Sequence, residues 1–190
     1  VKPRIHFYGD SYIAGFGDPR ELGWVGRIAT RCPELEFVNH GVPGETSLDA
    51  VTRFDNTDFD ERDRVVVFSF GSNDVILNVS QDQSVLAFER AIERCRRHDL
   101  NVLLVLPPAI HGLPAVDPTL EALSQTLGTV ASANSIAVFS ARALLDREGA
   151  WYYEAAHGDG AHPGAEGYAE LAHRLIDDGL PAKLDELSQR

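Results

Sequence analysis

Five short apolar runs punctuate the chain at Arg4 to Tyr8, Glu36 to Asn39, Val65 to Phe70, Val102 to Leu106 and Ile136 to Phe139. Most are unbroken rather than alternating. A run such as Val65-Val66-Val67-Phe68 suits a strand covered on both faces, which is the environment of a mostly parallel sheet. Between the runs the apolar spacing turns helical. A first helix is predicted over Leu22 to Arg31, with Trp24, Val25 and Ile28 inward, and a shorter one follows Thr46. Gln81 to His98 is a longer amphipathic segment with the stripe Val85, Phe88, Ile92, Cys95. Asp117-Pro118 reads as an N-cap and N1 pair opening a helix whose inner stripe is Leu120, Leu123, Leu127, Val130. Ala165 to Asp177 carries Tyr168, Leu171, Ala172 and Leu175 on one side, and the tail from Lys183 to Arg190 is expected to be a loose helix end. Strand alternating with helix predicts an α/β domain of three layers, α/β/α, with right-handed crossovers.

A length of 190 residues with 44% hydrophobic content is that of one domain with a single sizeable core, expected to span 1–190. No internal repeat, low-complexity tract or linker interrupts it. Lys+Arg 17 against Asp+Glu 29 leaves a net charge of −12. That balance disfavours nucleic acid and anionic membrane, both of which demand basic patches. Lysine occurs only at Lys2 and Lys183, so a mechanism needing an interior lysine is nearly excluded. Cys32 and Cys95 sit in no metal-binding or redox spacing. Cys95, in its apolar stripe, reads as a core thiol. No apolar run reaches the roughly 18 residues of a membrane span. No export segment precedes the first strand, so a cytoplasmic location is expected, although a chain beginning at Val1 also fits a removed signal.

In an open parallel sheet the strand C-termini share one edge, where functional loops gather. Ser11, Gly44, Asn73 and the loop after Leu106 all fall there. Together with Asp159 and His162 they supply the parts of a serine esterase. Ser11, in Gly9-Asp10-Ser11 three residues beyond the strand, can act as nucleophile, and a helix opening there turns its N–H toward an anion. Taken alone, the same residue is a plain helix cap. In Asp159-Gly160-Ala161-His162-Pro163 the small residues allow a tight turn in which the carboxylate meets Nδ1 of His162 and Nε2 faces Ser11. An isolated turn of this kind also reads as a surface loop with a capping acid. Asn73, in Gly71-Ser72-Asn73-Asp74, offers a neutral amide to an oxyanion, or serves only as a turn former. Gly44 lets the backbone approach a reacting carbonyl, with Gly41 as its rival for that role.

These blocks resemble the SGNH (GDSL-like) hydrolase family from Gly9 to Tyr168: GDSY for GDSL, NHGVPGETS with its glycine, GSND for GxND and DGAHP for DxxHP. By that likeness Ser11, Gly44, Asn73 and His162 match the four letters of the name, and Asp159 matches the acid beside the histidine. The resemblance implies a flavodoxin-like sandwich with a five-stranded parallel sheet of order 2-1-3-4-5. It also implies ester or thioester hydrolysis through an acyl-enzyme, with Ser11, Gly44 and Asn73 as the oxyanion hole and without metal or organic cofactor. Tyr12 departs from the usual Leu and bears on substrate preference.

Two other readings use the same residues. His157, Asp159 and His162 form a possible metal-ligand set, which leaves Ser11 and Asn73 without a role. A non-catalytic carbohydrate- or ligand-binding module could keep the fold. A phosphate-accepting receiver domain, which needs an acidic cluster and a lysine after the last strand, fails because no lysine lies between Lys2 and Lys183, and Gly9-Asp10-Ser11 is not the G-x-G-x-x-G of a dinucleotide site. No G-x-S-x-G elbow is present. For the expected partner, a small acyl ester, the pocket is drawn from Tyr12, Ile76, Pro107, Pro108, Ile110 and Trp151; the sequence leaves the acyl chain, the alcohol and the oligomeric state open.

Overall fold

The computed structural model describes residues 1–190. Five parallel strands form one sheet in the order β2-β1-β3-β4-β5: β1 Arg4–Gly9, β2 Glu36–Gly41, β3 Asp63–Ser69, β4 Asn101–Leu106 and β5 Ala137–Ser140. Each begins or ends within two residues of the apolar run that predicted it. The unbroken runs have the expected cause, since successive side chains enter different layers. Ile5, Phe7, Val65, Val67, Leu103 and Val105 join the core on one face, while Tyr8, Val66, Phe68, Leu104 and Leu106 join that on the other.

The helices complete the sandwich. Against the first face pack α2 (Gly23–Ala29), α9 (Ala165–Asp177) and α10 (Leu180–Ser188). Against the second pack α3 (Ser47–Asp55), α5 (Gln81–Arg97) and α6 (Asp117–Ala133). Two starts are written plainly in the sequence: Thr46 with Asp49, and Ser80 with Gln83, each form a reciprocal capping box. Short helices α1 (Ser11–Ala14), α4 (Ser72–Ile76) and α7 (Ala141–Leu144) follow β1, β3 and β5, and α8 (Ala150–His157) precedes the histidine loop. Cys95 lies in the α5 core, and Cys32 is buried as well.

Two expectations need correction. Asp117 is the first residue of α6 rather than its cap: Val116 takes the cap position, because the Asp117 carboxylate is engaged by Arg142 at 2.6 and 2.9 Å and by the N–H of Ile110 at 3.2 Å. The C-terminal tail is not loose, since α10 buries Leu180, Leu184 and Leu187 in the core. No helix is long and apolar enough to cross a membrane.

The register fixes where the site forms. Gly9 at the end of β1 is level with Gly41 of β2 and Ser69 of β3. The chain leaves β1 for β2 on one side and returns to β3 on the other, so the loops after β1 and β3 part and open a crevice between them.

Candidate active site

Ser11 is the first residue of α1, so its N–H has no partner within that helix. Asp10 caps the turn, its Oδ1 accepting the Tyr12 N–H at 2.9 Å. Its other oxygen, Oδ2, is buried without a partner. Burial pushes this carboxyl up to about 7; the negative charge of Asp74 adds to the effect, while the Tyr12 N–H opposes it. Asp10 therefore stands beside Ser11 in a form that readily keeps its proton near neutrality.

The other end of the chain arrives on the loop between α8 and α9. His162 Nε2 lies 2.7 Å from Ser11 Oγ, and His162 Nδ1 lies 2.6 Å from Asp159 Oδ2. An ionised carboxylate only accepts, so Nδ1 of the neutral ring carries the proton and Nε2 is left to accept from the Ser11 hydroxyl. Asp159 Oδ1 also takes the N–H groups of Ala161 and His162 at 2.9 and 2.8 Å. Partial burial works against its ionisation, but these bonds outweigh burial and hold the carboxyl at about 2.

Large side chains back this arrangement. Trp151, fully buried, packs on Tyr12 at 5.4 Å and on Tyr168 at 5.3 Å between ring centroids. The Tyr168 hydroxyl donates to the Phe16 carbonyl at 2.8 Å, and the Tyr12 hydroxyl donates to that of Ala161 at 3.1 Å. Arg27 bridges Asp18 to the Ala165 carbonyl at the start of α9. The loop after β4 docks against the histidine loop through the Gly112 N–H and the Gly160 carbonyl, 2.9 Å apart. A Cβ on Gly112 would lie 2.5 Å from Gly160 backbone, so only glycine allows that approach.

The second wall comes from β2 and β3. Val42-Pro43-Gly44-Glu45 forms a turn closed by the Glu45 N–H on the Val42 carbonyl, with Gly44 at φ +85°. Proline then glycine at the two central positions is the signature of a type II turn, whose third residue needs a positive φ. A Cβ on Gly44 would meet nothing within 4 Å, because the residue faces an open cavity. The rival, Gly41, packs on Ala14 and gives its N–H to Asn39 Oδ1 at 2.8 Å. Asn73, in the first turn of α4, donates one amide N–H to the Glu45 carbonyl at 2.9 Å, which leaves the second free.

Ser11, Gly44, Asn73 and His162 border one cavity of about 360 Å³ with Tyr12, Phe16, Pro43, Ser72, Ile76, Ile110 and Ala161. Tyr12, Ile76 and Ile110 were expected there; Phe16 and Ala161 were not, Ala161 directly preceding His162 in the chain and the Phe16 ring meeting His162 only in the fold, at 4.9 Å between centroids. Pro107, Pro108 and Trp151 are corrections to the expected lining. Pro107 is buried behind the crevice beside Gly71, Pro108 is buried too, and Trp151 lies beneath Tyr12. The set His157, Asp159, His162 does not assemble, because His157 Nδ1 bonds the Tyr153 carbonyl of its own helix at 2.7 Å.

The family model described as GDSL-like Lipase/Acylhydrolase matches residues 7–170. Esterase TesA of Pseudomonas aeruginosa is 27% identical over 135 residues, 68% of this chain and 66% of that protein, so the chain spans just under two thirds of the length of this curated relative. Among solved structures, a lipolytic protein of the G-D-S-L family from Veillonella parvula superposes with a TM-score of 0.77 at 20% identity, covering 95% of this chain and 99% of that one. A catalytic mutant of Axe2, an acetylxylan esterase from Geobacillus stearothermophilus, also gives 0.77, at 21% identity and 94% and 96% coverage. Those two structures share the fold: a five-stranded parallel sheet in the order 2-1-3-4-5 between helical layers. With a family model spanning most of its length, the chain belongs to the GDSL-like lipase/acylhydrolase family.

Proposed function

We propose that the protein hydrolyses a small acyl ester through an acyl-enzyme on Ser11. The observation that carries this reading is the relay from Asp159 through His162 to Ser11, with contacts of 2.6 and 2.7 Å. His162 takes the hydroxyl proton as Ser11 Oγ bonds to the substrate carbonyl carbon, and Asp159 stabilises the imidazolium that forms. The tetrahedral oxyanion rests on the N–H of Ser11, the N–H of Gly44 and the free amide N–H of Asn73. Collapse breaks the ester C–O bond, and His162 returns its proton to the leaving alcohol. Water, deprotonated by the same imidazole, then attacks the acyl-enzyme, and Ser11 recovers its proton as the acid departs. No step draws on a metal or an organic cofactor.

The pocket is drawn from Tyr12, Ile76, Ile110 and Phe16. Tyr12 and Ile110 are almost wholly buried and close its inner end, whereas Phe16 and Ile76 are exposed at the mouth. A closed inner end in a cavity of about 360 Å³ favours short acyl groups. The test is a chain-length series of p-nitrophenyl esters with the wild type and Ser11→Ala. The wild type should turn over the acetyl and butyryl esters fastest, and Ser11→Ala should lose roughly 10⁴-fold or more in kcat. A folded wild type inert toward the whole series would favour a binding module. Turnover that survives Ser11→Ala would remove Ser11 as nucleophile.

A further inference from the structure

One buried acid has no part in the chemistry above. Asp74 follows Asn73 in the first turn of α4 and is wholly buried. Its carboxylate accepts from the Ser47 N–H at 2.9 Å, from the Ser47 hydroxyl and from the Ser84 hydroxyl at 2.6 Å. Ser47 is the first residue of α3 and Ser84 the fourth of α5. A single side chain therefore joins the first turns of three helices.

Stability alone is a poor reason for this arrangement. A carboxylate taken out of water costs free energy that its hydrogen bonds must offset, and a packed apolar residue commonly does as well or better. Hydrogen bonds offer direction and distance instead. The Gly44 turn leads straight into Ser47, and Asn73 immediately precedes Asp74. The bond from Asn73 to the Glu45 carbonyl and those from Ser47 to Asp74 are thus two neighbouring rungs between the same two segments. The loop after β2 and the helix after β3 are locked to each other at the point where each presents a donor to the cavity.

We propose that Asp74 is a positioning residue that sets the distance between the Gly44 N–H and the Asn73 amide, holding the oxyanion donors in place before substrate arrives. This rests on the assignment of those donors under Proposed function. A preorganised donor contributes to the transition state because it need not reorganise during the reaction. If Asp74 supplies that order, its loss devalues Asn73 while substrate binding changes little.

The test is a double-mutant cycle with Asp74→Asn and Asn73→Ala on p-nitrophenyl acetate, with thermal melts to confirm folding. Asp74→Asn should lower kcat about 10- to 100-fold with KM within about threefold, and Asn73→Ala, worth about 10²- to 10³-fold in the wild type, should cost about tenfold or less in the Asp74→Asn background. Ser47→Ala removes only the hydroxyl rung and carries the test if Asp74→Asn does not fold; it should lower kcat about three- to tenfold and weaken the Asn73→Ala effect in the same sense. Independent, multiplying effects, or a kcat within twofold of wild type in a folded Asp74→Asn or Ser47→Ala, would overturn the proposal. Activity surviving Ser11→Ala would instead bring down the reading on which it rests.

Discussion

Ser11 and His162 stand on a wall of rings, with Trp151 wedged against Tyr12 and Tyr168 beneath them. Gly44, on the loop after β2, and Asn73, in the first turn of α4, are tied by directed polar bonds: Asn73 donates to the Glu45 carbonyl, Asp74 accepts from Ser47, and Arg53 of α3 donates to the His40 carbonyl. Ring packing is non-directional and gains in proportion to the area buried, so it makes the first wall hard to displace. Hydrogen bonds gain less net free energy each but fall off steeply with angle and distance, so they make the second wall accurate. Damage should therefore divide: to stability on the aromatic side and to turnover on the polar side.

The largest effect is expected at Trp151. Trp151→Ala should cost about 3–5 kcal/mol of unfolding free energy in chemical denaturation, as for other large rings removed from cores. A cost below about 1 kcal/mol would break the comparison, because the wall would then not depend on its ring. Asn73→Ala is the matched change across the cavity. Its kcat should fall about 10²- to 10³-fold, while unfolding free energy drops by no more than about 1.5 kcal/mol for the lost bond to Glu45. An Asn73→Ala variant with wild-type turnover would remove Asn73 from the oxyanion site.

The third prediction lies at the seam, where Asp10 feels the charge of Asp74 across the crevice. Folding holds the Asp10 carboxyl at about 7, against roughly 3.9 in an unfolded chain. Between those values the folded state keeps a proton that the unfolded state has released. Stability therefore falls as pH rises through the window from about 4 to 7, by up to about 1.4 kcal/mol per pH unit from this group. Asp10→Asn removes that contribution. Denaturation midpoints measured from pH 4 to 8 should decline less for the variant than for the wild type; parallel curves would show that Asp10 ionises freely inside the fold.

The strands were legible because burial on both faces leaves unbroken runs, and α9 because its apolar spacing is regular from Ala165 to Asp177. α8 passed unread: it begins after Gly149 with no side-chain cap, and Ala150-Trp151-Tyr152-Tyr153 gives no clear polar face. The relation of Ser11 to His162 was readable from residue type, turn and sheet edge together. The pocket lining was not, since position on a loop does not say which way a side chain points, and Pro107 and Trp151 turned inward. The joining of Asp74 to Ser47 and Ser84 lay beyond reach for another reason. Serine and aspartate near helix starts are commonplace, and only the folded arrangement shows that three such starts share one carboxylate.

The backbone contact between Gly112 and Gly160 also limits how this scaffold can diversify. With no room for a methyl group between the two loops, Gly112 and Gly160 themselves are closed to substitution, which holds fixed this joint in the stretch that carries His162. Change is better tolerated at the mouth, where Ile76 meets solvent; Phe16 is exposed there too, but its ring packs edge-on against His162 at 4.9 Å between centroids. A directed-evolution library confined to Ile76 would sample the shape of the cavity while leaving the surroundings of His162 untouched.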